Sequence, residues 1–103
     1  MINGIEIIIN QGANYEKNVF IVPTEKQCYY NGKKYDITDI QIENILKLLT
    51  TWKYEYGCMP IIDAEEFNVI VYSNDGKTTY HGKGIYPYNY SEFKSIIGDV
   101  TNE

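Results

Sequence analysis

Gln27-Cys28-Tyr29-Tyr30-Asn31-Gly32-Lys33-Lys34-Tyr35-Asp36 sets an Asn-Gly pair between two β-prone runs. Both residues tolerate positive φ, so the pair is a strong signal for a two-residue hairpin loop. That loop predicts Tyr30 opposite Lys33, Tyr29 opposite Lys34 and Cys28 opposite Tyr35. Cys28, Tyr30, Lys33 and Tyr35 then share one sheet face, and Tyr29 lies on the other. An antiparallel sheet is the frame into which the rest of the chain must fit.

Upstream, Gly4 to Asn10 reads as a strand with Ile5, Ile7 and Ile9 on one face. Tyr15 to Val22 reads as a second strand, closed by Pro23. Downstream, Thr38 opens a helix. Thr38-x-x-Gln41 fits a capping box, and Asp39 suits the positive end of the helix dipole. Ile42, Ile45, Leu46, Leu49, Trp52 and Tyr56 keep helical spacing, and Gly57 is a natural stop. The spacing therefore predicts a long helix of about four to five turns.

Phe67 to Ser73 alternates as a strand, with Asn74-Asp75-Gly76 as a second hairpin turn. A loop at Asp75-Gly76 sets Val71 opposite Tyr80, Val69 opposite Gly82 and Phe67 opposite Gly84. That loop puts His81 on the other face, beside Ile70 and Tyr72, whereas a three-residue loop with a bulge at Gly76 swaps the faces, so the side of His81 stays open. Asn89-x-x-Glu92 resembles a capping box for a short amphipathic helix through Phe93, Ile96, Ile97 and Val100, frayed or ended by Gly98. The order predicts one α+β domain over residues 1–103: a single antiparallel sheet of about five or six strands, with one long and one short helix on one face.

The 103 residues include eleven tyrosines, nine lysines, one histidine and no arginine. Tyrosine offers rigid contact area with a polar tip, which suits a contact surface. Without arginine the chain lacks the planar fork favoured for phosphate and carboxylate recognition. Net charge is −5, and residues 39–66 hold Asp39, Glu43, Glu55, Asp63, Glu65 and Glu66 against Lys47 and Lys53 alone. This balance disfavours direct binding to a nucleic-acid backbone and permits binding to a basic protein surface.

Catalytic patterns are sparse. His81 is the one side chain whose ordinary pKa suits acid–base work at neutral pH. Cys28 and Cys58 lie in no CxxC pattern, which predicts two reduced thiols in a cytoplasmic protein. Cys28 reads as a buried hydrophobe and Cys58 as the accessible thiol. Gly76-Lys77-Thr78 echoes the end of a phosphate loop, but the glycine required five positions earlier is Val71. Asp63, Glu65 and Glu66 lack the spacing of a calcium loop, so neither metal nor cofactor is expected. No apolar run is long enough to span a membrane.

These residues lead to a non-catalytic protein that binds another protein. The contact residues expected are Glu43, Glu55, Asp63, Glu65 and Glu66 with Tyr86, Tyr88 and Tyr90. Two alternatives remain open: a small-molecule-binding or enzymatic domain using Cys58 and His81, and an accessory homodimer joined through a sheet edge. In size and composition the chain is similar to small inhibitors made by phages and mobile elements, anti-CRISPR proteins among them. That resemblance implies an acidic surface occupying a basic groove of a host protein.

Overall fold

A computed structural model describes residues 1–12, 15–60 and 64–102. Its strands are β1 (Ile2–Gln11), β2 (Tyr15–Val22), β3 (Gln27–Tyr30), β4 (Lys33–Asp36), β5 (Glu55–Cys58), β6 (Glu65–Ser73) and β7 (Gly76–Lys83). The helices are α1 (Asp39–Leu49) and α2 (Tyr90–Thr101). All seven strands join one sheet in the order β4-β3-β2-β1-β6-β7-β5.

Two expectations about the sheet need correction. It has seven strands rather than five or six, and it is mixed, because β5 runs parallel to β7. The added strand comes from residues expected in the long helix. Helix α1 stops at Leu49 after 11 residues, so it is no longer than the 12-residue α2. The Thr50 and Thr51 hydroxyls turn back to the carbonyls of Lys47 and Leu48 at 2.6 and 2.7 Å. Trp52 then leaves the helix to enter the core, where its ring meets Phe67, Tyr80, Tyr90 and Phe93. Trp52 and Tyr56 are thus apolar at helical spacing for a tertiary reason: one fills the core, and the other belongs to an edge strand.

The Asn31-Gly32 loop forms as read. Both residues have positive φ, 55° and 75°, and the pairs are Tyr30–Lys33, Tyr29–Lys34 and Cys28–Tyr35. The second hairpin turns one residue earlier, at Asn74-Asp75, so Ser73 meets Gly76. Val71 therefore faces Thr78, Val69 faces Tyr80 and Phe67 faces Gly82. A slip of two residues preserves the faces of a two-residue loop, which settles the side of His81: it lies opposite Asn68, on the face of Ile70 and Tyr72.

One sheet face builds the core. Ile5, Ile7 and Ile9 of the central strand pack with Val19, Ile21, Phe67 and Val69, all nearly inaccessible. Ile42, Ile45 and Leu49 of α1 and Phe93, Ile97 and Val100 of α2 join the same cluster. Thr38 caps α1 with the full capping box. Asn89 makes no cap bond at α2. Its amide instead accepts from Trp52 Nε1 at 2.6 Å and donates to Thr51 Oγ1 at 3.0 Å, pinning the post-α1 loop to the start of α2. Gly98 does not end α2, which runs to Thr101 and closes on Asn102 with left-handed φ of 62°. No described helix is long and apolar enough to cross a membrane.

Candidate functional site: the uncovered sheet face

Alternation sends every second strand residue away from the helices. On that side lie Glu6 and Ile8 of β1, Glu16 and Phe20 of β2, Glu66, Ile70 and Tyr72 of β6, and Lys77, His81 and Lys83 of β7. No described helix covers this face. Ile8, Phe20, Ile70 and Tyr72 are half-buried and lie around Glu6, which pairs across with both Phe20 and Ile70. Phe20 reaches over Gly4, where a β-carbon would stand 2.8 Å from its Cζ, and its ring lies 6.2 Å from that of Tyr72. The Tyr72 hydroxyl donates to Glu6 at 2.9 Å, and that bond raises the phenol pKa.

Carboxylates outnumber lysines here. Glu6, Glu16, Asp36, Glu55 and Glu66 stand against Lys34, Lys77 and Lys83. At one end His81 joins three strands. Its Nε2 lies 2.7 Å from Glu66 on β6, and its Nδ1 lies 2.9 and 3.0 Å from the two oxygens of Glu55 on β5. The Glu66 hydrogen bond, reinforced by Glu55 and by both charges, holds the imidazole pKa above its ordinary value despite partial burial. Glu55 moves the other way: the His81 contact and the Gly57 N–H, at 2.8 Å, lower its pKa.

The expected contact residues divide among several places. Glu55 and Glu66 share the uncovered face. Glu65, the next residue, points to the opposite side, where Lys94 holds it at 2.9 and 3.1 Å and the Tyr90 hydroxyl donates to it. Tyr90 is buried, and burial followed by the Glu65 bond raises its phenol pKa strongly. Tyr86 stacks on Tyr90 at 4.8 Å and donates to the Glu65 carbonyl at 2.8 Å. Glu65, Tyr86 and Tyr90 thus fasten the connection before α2 to the start of β6. Tyr88 is 87% exposed, at the rim of a groove of about 490 Å³ between the helices. Glu43 stands exposed on α1, and Asp63 lies outside the described residues.

Cys58 and His81 were the alternative catalytic pair. The Cys58 thiol is directed to the Met59 carbonyl at 3.7 Å, while both ring nitrogens of His81 meet carboxylates. In this arrangement the imidazole presents no vacant nitrogen to a thiol. Cys28 is fully buried, which pushes its thiol up to about 11.

The sequence placed Glu55 and Glu66 in one acidic segment but did not reveal that His81 bridges them. Adjacent strand residues face opposite ways, so the segment's charge could not be one surface. Ile8, Phe20, Ile70 and Tyr72 were readable as outward positions by strict alternation, yet their apolar character hid their place on an uncovered side. Comparison with protein-family models, curated proteins and solved structures finds no match to the chain.

Proposed function

We propose that this chain is a non-catalytic binding protein whose uncovered sheet face docks on a basic protein surface. One observation carries the reading: the face opposite the helices combines four half-buried apolar side chains, Ile8, Phe20, Ile70 and Tyr72, with an excess of carboxylates. These four supply area that gains from losing water. Glu6 among them and Glu16, Asp36, Glu55 and Glu66 further out select a lysine- or arginine-rich partner and speed the encounter. The same charges repel a nucleic-acid backbone, whereas a protein groove that otherwise holds nucleic acid presents the complementary sign. An inhibitor of a phage or mobile element acts in this way, by occupying such a groove.

Affinity capture from a lysate of the encoding organism tests the reading when the bait is varied. Ile70→Glu places a charge among the four apolar side chains, and Glu16→Lys reverses a rim charge without touching the core. Ile40, 69% exposed on α1, provides the control Ile40→Glu. The expected result is a basic partner held by the wild-type and Ile40→Glu chains. Ile70→Glu weakens retention about tenfold or more, and Glu16→Lys weakens it chiefly at low salt. A partner held equally by all four chains, or held only by chains with an intact α1 surface, rules the face out.

A further inference from the structure

His81 lies at the meeting of an edge strand and the proposed docking face. Besides its ladder pairing with β7, strand β5 is flanked by two further backbone bonds: His81 N–H to the Tyr54 carbonyl and Met59 N–H to the Lys83 carbonyl, both at 2.9 Å. The register of the two strands is irregular between Glu55 and Cys58. The Glu55–His81–Glu66 row adds a side-chain link across β5, β7 and β6 at this edge. The groups facing the ring are Glu55 from β5, Glu66 and the uncharged Asn68 from β6, and Lys83 further along β7, which pairs across with Glu66.

An imidazolium donates from both nitrogens, but a neutral imidazole donates from only one. Two ionised carboxylates can therefore both be satisfied only while the ring is charged. We infer that His81 is a proton-operated clamp which binds Glu55 into the sheet face when charged and releases it to a partner when neutral. Glu55 is the one released. Its side chain is 61% exposed against 31% for Glu66, and its Nδ1 contacts are longer than the Nε2–Glu66 bond. The neutral ring keeps its proton on Nε2, facing Glu66. Its Nδ1 lone pair then opposes Glu55, which remains held only by its own Gly57 N–H.

The direction with pH follows from linkage. A histidine whose folded pKa is raised stabilises the fold below its unfolded pKa, and that contribution disappears as pH rises through the folded pKa. Above that point β5 loosens, and the docking face gains a carboxylate no longer neutralised from within. The link to partner binding rests on the proposed docking role; the clamp does not.

His81 is the only histidine, so its ring signals in long-range ¹H–¹⁵N spectra need no separation from others. On the free chain, the expected results are a pKa above the ordinary 6.5 and an Nε2–H tautomer beyond it. Glu66→Gln should lower that pKa more than Glu55→Gln. Protection of the Met59 amide from hydrogen exchange should fall across the same titration, beyond the intrinsic base-catalysed rise, and should stay level in His81→Gln. A pKa at or below 6.5, an Nδ1–H tautomer, or Met59 protection that ignores the titration overturns the clamp. Binding of a decalysine peptide, whose ammonium groups stay charged throughout this range, separates the two ideas. Tighter binding above the His81 pKa, absent in His81→Gln, supports the release of Glu55 to a partner. Binding that stays flat while the ring titrates as described removes the link to docking and leaves the clamp standing.

Discussion

A β-carbon added at Gly82 would stand 2.7 Å from both the Ile85 carbonyl oxygen and the Phe67 ring, and 2.9 Å from Cβ of Tyr56. Two of those neighbours are backbone or the root of a side chain, which cannot swing away. At Gly4 the nearest atom is the tip of the Phe20 ring, which can. Gly82→Ala should therefore destabilise by about 1–3 kcal/mol through overpacking, and Gly4→Ala by less, as read from urea midpoints. Equal midpoints for the two variants would mean that the β5–β7 edge is looser than described. With the loop at Asp75-Gly76 the sequence sets Gly84 opposite Phe67; with the turn one residue earlier, Gly82 takes that place. Every residue of Asn74-Asp75-Gly76 is a turn former, so local chemistry could not choose between the two registers.

At the scale of elements, α1 and α2 begin with similar sequence signals and differ in what those signals do. Thr38 caps its helix, so Thr38→Ala should cost about 1 kcal/mol. Asn89 holds the buried Trp52 Nε1 instead, and Asn89→Ala leaves that donor without its partner, a loss of about 1–3 kcal/mol. Urea denaturation of both variants, with the Trp52 fluorescence maximum followed in the folded state, checks this. A shifted maximum is expected for Asn89→Ala alone, and an unchanged one would contradict the pin. The hairpin at Asn31-Gly32 was legible because its loop and strands agree locally. The end of α1 was not, because Trp52 and Tyr56 satisfy helical periodicity while their partners, Phe67 and Tyr80, come from distant strands. Strand β5 exists only because β7 offers it an edge, a fact no window of sequence contains.

At the scale of the whole molecule, both helices cover one side of a seven-stranded sheet and leave the other side uncovered. The α+β class and the core positions of β1 and β6 were readable from alternation. The candidate site was not readable as a unit, since its residues come from β1, β2, β4, β5, β6 and β7 and meet only through strand order. The two sheet edges also differ. Strand β4 carries Lys33 and Lys34, which guard it against adding another strand, while β5 carries Glu55, which meets His81. Tyrosine abundance loses weight as a functional clue at this scale: Tyr90 and much of Tyr86 are structural, and Tyr88 alone in that run is nearly free of contacts. A photo-crosslinking residue placed at position 70, and in a separate chain at position 40, tests the docking face most directly. Ultraviolet irradiation in the encoding organism should give an adduct with a basic protein from position 70 and none from position 40. An adduct from position 40 alone, or a 70-linked product of two copies of this 12.0 kDa chain, would contradict the account.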